Sequence, residues 1–323
     1  DNGDFFLSEG STTLAELLQA AGYQTMASVG AEVTSHHWGF AQGFDAYFDD
    51  LGKSRDEEKN RWRVERPAPE VVRDAVGWFK EKRKADKPFF TWLHMFDVHH
   101  PYEPPEPYKS KFPMRPYLGE VAWTDSQVHD FLQKIDALGE MENTWIFILS
   151  DHGEGRGSHG EMLHGSLLYN STTRIPFIVV PPKRDGANKR IWFPVSIVDV
   201  MPTVLSLASL DVPDGLDGID LSPWLQTDPQ PELEGREVYL ESLYAYRHYG
   251  WAPQKAFVTD DYKLIDSTTP ELYAARDLPE KNNLADTEGK TMNALIDDLR
   301  AMTTQMVISE NTADRVELSP ERL

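Results

Sequence analysis

The sequence predicts an α/β fold: a mostly parallel central sheet with helices on both faces, followed by a small C-terminal antiparallel sheet with a helix. Three observations carry this. Amphipathic helical stretches alternate three times with short apolar runs, and the runs are apolar on both sides, as strands covered on both faces are. Past a Pro- and acid-rich stretch, LSPWLQTDPQPELEGRE, the texture changes to short strands separated by turns. The expected division is therefore an α/β domain over 1–230 and an α+β subdomain over 231–323.

In order along the chain, STTLAELLQAAGY places Ser/Thr ahead of a helical pattern (Leu14, Leu17, Leu18, Ala21), with Gly22 at its end,. QTMASVG follows as a strand. APEVVRDAVGWFKEKRKADK is a second amphipathic helix, and Pro88 separates it from the strand-length run PFFTWLHMF,. A long helix from Tyr117 to Leu138 is closed by Gly139 and leads into TWIFILS. IPFIVVPP and a helix around VDVMPTVLSLASL are expected to continue the same layers. REVYLESLY, KAFVTDDYKLID and PELYAARD supply the small sheet. A last helix, Thr291 to Val307, presents Met292, Leu295, Leu299 and Met302 to it,.

At 323 residues the chain is long enough for a large core, and no apolar run reaches membrane length,. The net charge of −21, from 53 Asp+Glu against 32 Lys+Arg, argues against a nucleic-acid partner and favours solubility,. An anionic substrate is still compatible, because a metal ion and local cations dominate the field inside a cleft. With no cysteine, disulfides, thiolate metal sites and cysteine nucleophiles are excluded from these residues,. The first residues, DNGDFFLSEG, show neither a signal sequence nor an initiator Met, so further chain is expected upstream.

Chemistry concentrates in WIFILSDHGEGRGSHGEMLHGSLLYN, residues 145–170. Ligands of open parallel sheets bind beyond the carboxyl ends of the strands, and Ser150, Asp151 and His152 sit at such an end. A carboxylate beside an imidazole is a sound donor pair for a divalent cation, and Gly153, Gly155 and Gly157 let the backbone pass close by. Alone, the Asp-His pair is as consistent with a surface turn. His99 and His100, in DVHHPYEPP, lie at the end of the preceding strand and are expected to face the same loop. His159, His164 and Arg174 add further groups of cationic type,. Asn170-Ser171-Thr172 fits a glycosylation acceptor, but its place between these blocks argues against modification. The loops HPYEPPEPYKSKFPMRPY and AYRHYGWAP are rich in Tyr and Trp that can stack on a sugar ring or an arene, or serve ordinary packing.

The chain resembles the sulfatase family of the alkaline-phosphatase superfamily. The likeness runs through STTLAELLQAAGYQT, WGFAQGFDAYFDD, FFTWLHMFDVHHPYEPPEPY, the segment from YLGEVAWTD to SDHGEGRGSHGE, LYNSTTRIPFIV, VSIVDVMPTVLSLASL, and YGWAPQKAFVTDDYKLI with PELY and NNLA. LYAARDLPEKNNLA departs from the usual LYDL and DP-x-E pattern, which bears on the subdomain. The resemblance implies hydrolysis of sulfate esters through a divalent metal and a covalent intermediate. It implies Asp151 and His152 as metal ligands, with Ca²⁺ the first expectation and Mg²⁺, Mn²⁺ or Zn²⁺ alternatives. It implies His99, in its H-x-P-Y setting, as the residue that contacts the anion and assists the leaving oxygen. His164 falls near the place where many sulfatases have a Lys against the same anion. A small anionic ester, such as a sulfated sugar or an aryl sulfate, is the expected partner, and a periplasmic or extracellular location fits.

The family's N-terminal block, with an acidic metal pair and a nucleophile in C-x-P-S-R or T-x-P-S-H, has no counterpart in these residues. Two ligands seldom hold a divalent ion against water, so the chain alone is expected to be inactive. Two alternatives stand beside the sulfatase reading. One is a phosphodiester or phosphonate hydrolase, or a phosphoryl transferase, of the same superfamily; the other is a non-catalytic binding protein derived from the fold.

Overall fold

A computed structural model describes residues 6–51, 65–184, 189–228, 230–233 and 235–305. Two compact units divide the chain between Asn143 and Thr144.

The first unit opens with α1 (Leu14–Ala20). The Thr13 hydroxyl accepts from the Glu16 N–H at 3.1 Å while the Glu16 carboxylate accepts from the Thr13 N–H at 2.8 Å, a reciprocal cap that fixes the start of the helix,. Strand β1 (Gln24–Val29), β2 (Ala46–Phe48), helix α2 (Ala68–Glu81) and β3 (Phe89–His94) follow, then α3 (Tyr108–Lys111) and α4 (Pro116–Ala137). β1 is central and parallel to both neighbours, Met26 pairing Ala46 and Val29 pairing His94. α2 presents Val72, Ala75, Val76 and Phe79 at helical spacing, and these pack with Met26 and with Ile135 of α4,. The helix-strand alternation and the parallel direction are as expected.

The second unit holds β4 (Ile146–Leu149), α5 (Asn170–Thr173), β5 (Phe177–Val180), α6 (Val200–Leu207), α7 (Ser222–Gln226), β6 (Val238–Ser242), α8 (Tyr244–Tyr249), β7 (Gln254–Val258), β8 (Tyr262–Asp266), β9 (Glu271–Ala274) and α9 (Gly289–Gln305). IPFIVV was expected to extend the parallel layers. Instead β5 pairs antiparallel with β4, Leu149 opposite Phe177. An apolar run signals burial and carries no strand direction, and Ile178 is in fact 52% exposed,. The antiparallel order β6-β7-β8-β9 matches the expected small sheet, which lies within this unit.

Side chains of that sheet alternate between two buried faces. Phe257, Leu264 and Leu272 meet Ile296 and Leu299 of α9. Ala256, Ile265 and Tyr273, each the chain neighbour of one of these strand residues, meet Leu168. The chain just after the histidine-rich loop is thus part of the subdomain core. The expected end of the last helix at Val307 lies outside the described residues.

Candidate metal and anion site

β4 ends at Leu149, and the next three residues fold on themselves. The Ser150 hydroxyl donates to the His152 carbonyl at 2.5 Å, and Asp151 Oδ1 accepts from the His152 N–H at 2.9 Å. His152 Nδ1 lies 2.8 Å from the Gly153 carbonyl oxygen. In the neutral ring that contact puts the proton on Nδ1 and the lone pair on Nε2,. Nε2 faces Asp151 Oδ2 at 3.6 Å, with the two side chains 39% and 74% exposed. A carboxylate oxygen and a neutral imidazole nitrogen converging in this way fit a divalent cation. They supply only part of a coordination shell, since the described residues contain no group of three or more such donors.

The loop then doubles back. The N–H groups of Gly155, Arg156 and Gly157 donate to the carbonyls of Leu163, Met162 and Glu161 at 2.7, 3.0 and 2.8 Å. The turn at its tip needs positive φ at Arg156, Gly157, His159 and Gly160. At Gly155 a Cβ would sit 2.4 Å from the Glu161 carbonyl oxygen, so the two limbs close this tightly only around a glycine,. The consequence is that His164 returns to lie against His152, ring centroids 3.8 Å apart and planes 23° from parallel.

Behind this stack sits Glu154, whose side chain is 5% exposed and whose Oε1 is 3.4 Å from His164 Nδ1. Glu161 is buried too, and its Oε1 accepts from the Ser166 and Leu167 amides at 2.8 and 3.2 Å. Burial pushes its carboxyl pKa up, the two amides oppose that, and the charge of Glu154 adds to the rise,.

His159 points elsewhere. Its Nε2 is 3.0 Å from the Glu280 carbonyl oxygen, and its ring lies 3.7 Å from Tyr169, nearly parallel at 8°. Glu280 is itself held at φ 51 and pairs with Lys263 at 2.8 Å. Lys263 also donates to Asn170 Oδ1 and Thr173 Oγ1, each at 3.1 Å. Burial pushes the Lys263 pKa down, against the attraction of Glu280. His159 therefore anchors the loop tip to the subdomain, and Asn170 serves that same knot. Arg174 is exposed, just past α5.

In the first unit, His99 follows β3. Its N–H donates to the Phe96 carbonyl at 3.0 Å, its Nδ1 lies 2.8 Å from the His100 carbonyl oxygen, and its ring stacks on Phe96 at 4.3 Å. The neighbouring Asp97 accepts from the Ala68 amide at 2.8 Å and the Trp123 indole at 3.1 Å, and burial pushes its pKa up. His100 packs edge-on against Tyr102. This unit also contains a cavity of about 430 Å³ lined by His36, His37, Asp49 and Asp74 among others.

Of the residues singled out in the sequence, the structure brings Asp151, His152 and His164 together and directs His159 away. Glu154 was not anticipated. Its signal is an acid between two glycines inside a histidine-bearing loop.

Comparison with known proteins bears on the whole chain. The family model Sulfatase matches residues 5–210, and the model of the N-sulphoglucosamine sulphohydrolase C-terminal region matches 157–308. An uncharacterized sulfatase, YidJ, of Escherichia coli K12 is 29% identical over 300 residues, covering 77% of this chain and 57% of its own. An ulvan-active sulfatase of Formosa agariphila is 25% identical, covering 87% and 63%. The chain thus spans about three-fifths of the length of these relatives. Among solved structures, BT4656 in complex with its substrate D-glucosamine-2-N,6-O-disulfate superposes with a TM-score of 0.73 at 21% identity, covering 94% of this chain and 84% of the other. A phosphonate monoester hydrolase of Agrobacterium radiobacter gives 0.71 at 17%, covering 97% and 86%.

Proposed function

Because the chain belongs to the sulfatase family, we propose that it carries the metal- and anion-binding part of a hydrolase of sulfate esters. The observation that carries this is the convergence of Asp151 Oδ2 and His152 Nε2 at 3.6 Å, with His164 stacked directly on the ligand imidazole. Asp151 and His152 would hold a divalent ion, Ca²⁺ in the first instance, which when bound would neutralise charge on the ester oxygens and acidify a hydroxyl nucleophile.

The chain's own side chains have separate tasks. Glu154 holds the His164 ring in place, and His164 in its protonated form pairs with the sulfate oxygens. His99 donates the proton that the departing alkoxide needs. In the whole protein the ester is cleaved through a covalent intermediate. A sulfated sugar or an aryl sulfate is the substrate class, in keeping with relatives described as an N-acetylglucosamine-6-O-sulfatase and an arylsulfatase.

Calorimetric titration with Ca²⁺ and Mn²⁺ of a protein extended upstream of Asp1 tests the metal assignment. Binding lost in both Asp151→Asn and His152→Ala supports it, and binding unchanged in both refutes it. A protein extended upstream of Asp1, assayed on 4-nitrophenyl sulfate and 4-nitrophenyl phosphate, tests the reaction. Faster turnover of the phosphate would favour the second reading, a phosphonate or phosphodiester hydrolase, to which the likeness in fold to the phosphonate monoester hydrolase lends support.

A further inference from the structure

Between β6 and β7 the chain exposes an aromatic surface that the metal and anion site does not use. Within eight residues, Tyr244, Tyr246, Tyr249 and Trp251 are 40%, 54%, 60% and 59% exposed. Scattered exposed rings are ordinary on a protein surface, but a contiguous set is not. Three of them touch: Tyr244 lies 6.2 Å from Tyr249, and Tyr249 5.6 Å from Trp251.

The backbone holds this set in place. Ala245, within α8, is buried and anchors the helix. Gly250 at φ 66 ends it in the left-handed region, and the Gly250 and Trp251 N–H groups donate back to the carbonyls of Tyr246 and Ala245 at 3.0 and 3.2 Å. This closing motif folds Trp251 back beside Tyr249, so the platform exists before any ligand arrives.

Three features point to the occupant. Flat rings bearing phenolic hydroxyls suit the C–H face of a pyranose while offering hydrogen bonds to its hydroxyls. Arg247 and His248 occupy the last turn of the same helix, and the His248 ring lies 4.3 Å from that of Tyr244, on a chain of net charge −21,. The start of the platform is also tied to the site loop, because the Ser242 hydroxyl donates to the Gly165 carbonyl at 2.5 Å, next to His164. A protein partner would need roughly 20–30 residues a side, far more than this patch provides.

We propose that the surface from Tyr244 to Trp251 is the subsite that takes the pyranose ring of a sulfated saccharide, with Arg247 reading an anionic substituent. This assignment rests on the sulfate-ester reading above and names the organic part of its substrate.

The test is calorimetry on the full chain with a monosulfated glucosamine-containing disaccharide, its desulfated counterpart, and methyl sulfate, an ester without a ring. The sulfated disaccharide is expected to bind at least tenfold more tightly than methyl sulfate. Tyr249→Ala and Trp251→Ala should each weaken the disaccharide about tenfold, the scale of one ring contact, and Tyr249→Phe should retain it. Arg247→Ala should narrow the preference for the sulfated over the desulfated sugar. All these side chains are exposed, so unfolding midpoints should stay at the wild-type value.

The proposal is overturned if the wild type shows no preference for the disaccharide, or if both alanine variants keep its affinity within twofold. It is also overturned if sedimentation shows a dimer that Trp251→Ala dissociates, since a second copy would then cover the face. Failure of the upstream-extended protein to hydrolyse any sulfate ester would remove the functional reading and leave a ring-dependent saccharide affinity measurable. Loss of ring dependence with hydrolysis intact would remove this subsite alone.

Discussion

Replacing Gly155 by alanine should damage the candidate site without touching any of its functional groups. The added Cβ would lie 2.4 Å from the Glu161 carbonyl oxygen and 2.6 Å from that of Leu163, where ordinary contact begins at 3.4 Å. Both are backbone atoms and cannot rotate aside. The Leu163 carbonyl also accepts the Gly155 N–H at 2.7 Å, so moving it away gives up a bond that closes the loop. Overpacking costs about 1–3 kcal/mol and the lost bond about 1 kcal/mol, which together come to about 2–4 kcal/mol. The shift falls on the residue before His164, so the stack on His152 should open. Urea unfolding gives the first quantity, and the ring-proton shifts of His152 and His164 report the second. Gly157→Ala is the control: its nearest neighbour would be the Met162 sulfur at 3.7 Å, and at φ 88 it carries only the left-handed penalty of about 1–2 kcal/mol,. A Gly155→Ala protein within about 0.5 kcal/mol of wild type, with its ring shifts unchanged, would refute the reasoning.

Three further outcomes are expected. Lys263→Met leaves Glu280 charged and buried, the pair being 3% and 1% exposed; the loss should be about 3–5 kcal/mol, and Lys263→Met with Glu280→Gln should recover most of it, as urea midpoints would show. Glu120 is pushed up to about 7, first by burial and further by the charges of Asp97, Glu65 and Glu103, against the Glu103 amide that holds its carboxylate. The folded state then holds a proton that the unfolded chain releases near 4.5, so stability should fall as pH rises from about 4.5 to 7,. Glu120→Gln should remove that slope, and a wild-type to variant difference equal at pH 5 and pH 8 would contradict it. Glu154→Ala should free the His164 ring, collapsing the mutual ring-current shifts of His152 and His164 in proton spectra; unchanged shifts would take Glu154 out of the site.

The sequence was most informative where a single local rule decides the outcome. Ser11, Thr12 and Thr13 announce a helix start because they stand just ahead of a helical apolar pattern, and β4 reads as a strand because both of its faces are apolar,. Direction was not legible for β5, since Phe177–Val180 would look the same in either sense. Helix α8 was hidden, because a run of Tyr and His has weak helical preference and the tertiary anchor is one alanine. At the site, Asp151 and His152 were readable as neighbours at a strand end. Telling His164 from His159 was not, as both are histidines in one glycine-rich loop. Which of them returns to Asp151 and His152 depends on positive φ at Arg156 and His159, a choice made by the pairing of the limbs and by the hold of Glu280 and Tyr169 on the loop tip.

That hold has an evolutionary corollary. Because the far end of the histidine loop is gripped by Glu280, Lys263 and Tyr169, recombination that swapped in a foreign C-terminal sheet would unfasten the turn that returns His164. Residues from Thr144 onward should therefore have been inherited as one cassette, with novelty confined to excursions such as the stretch between β6 and β7, where replacement leaves the clasp untouched.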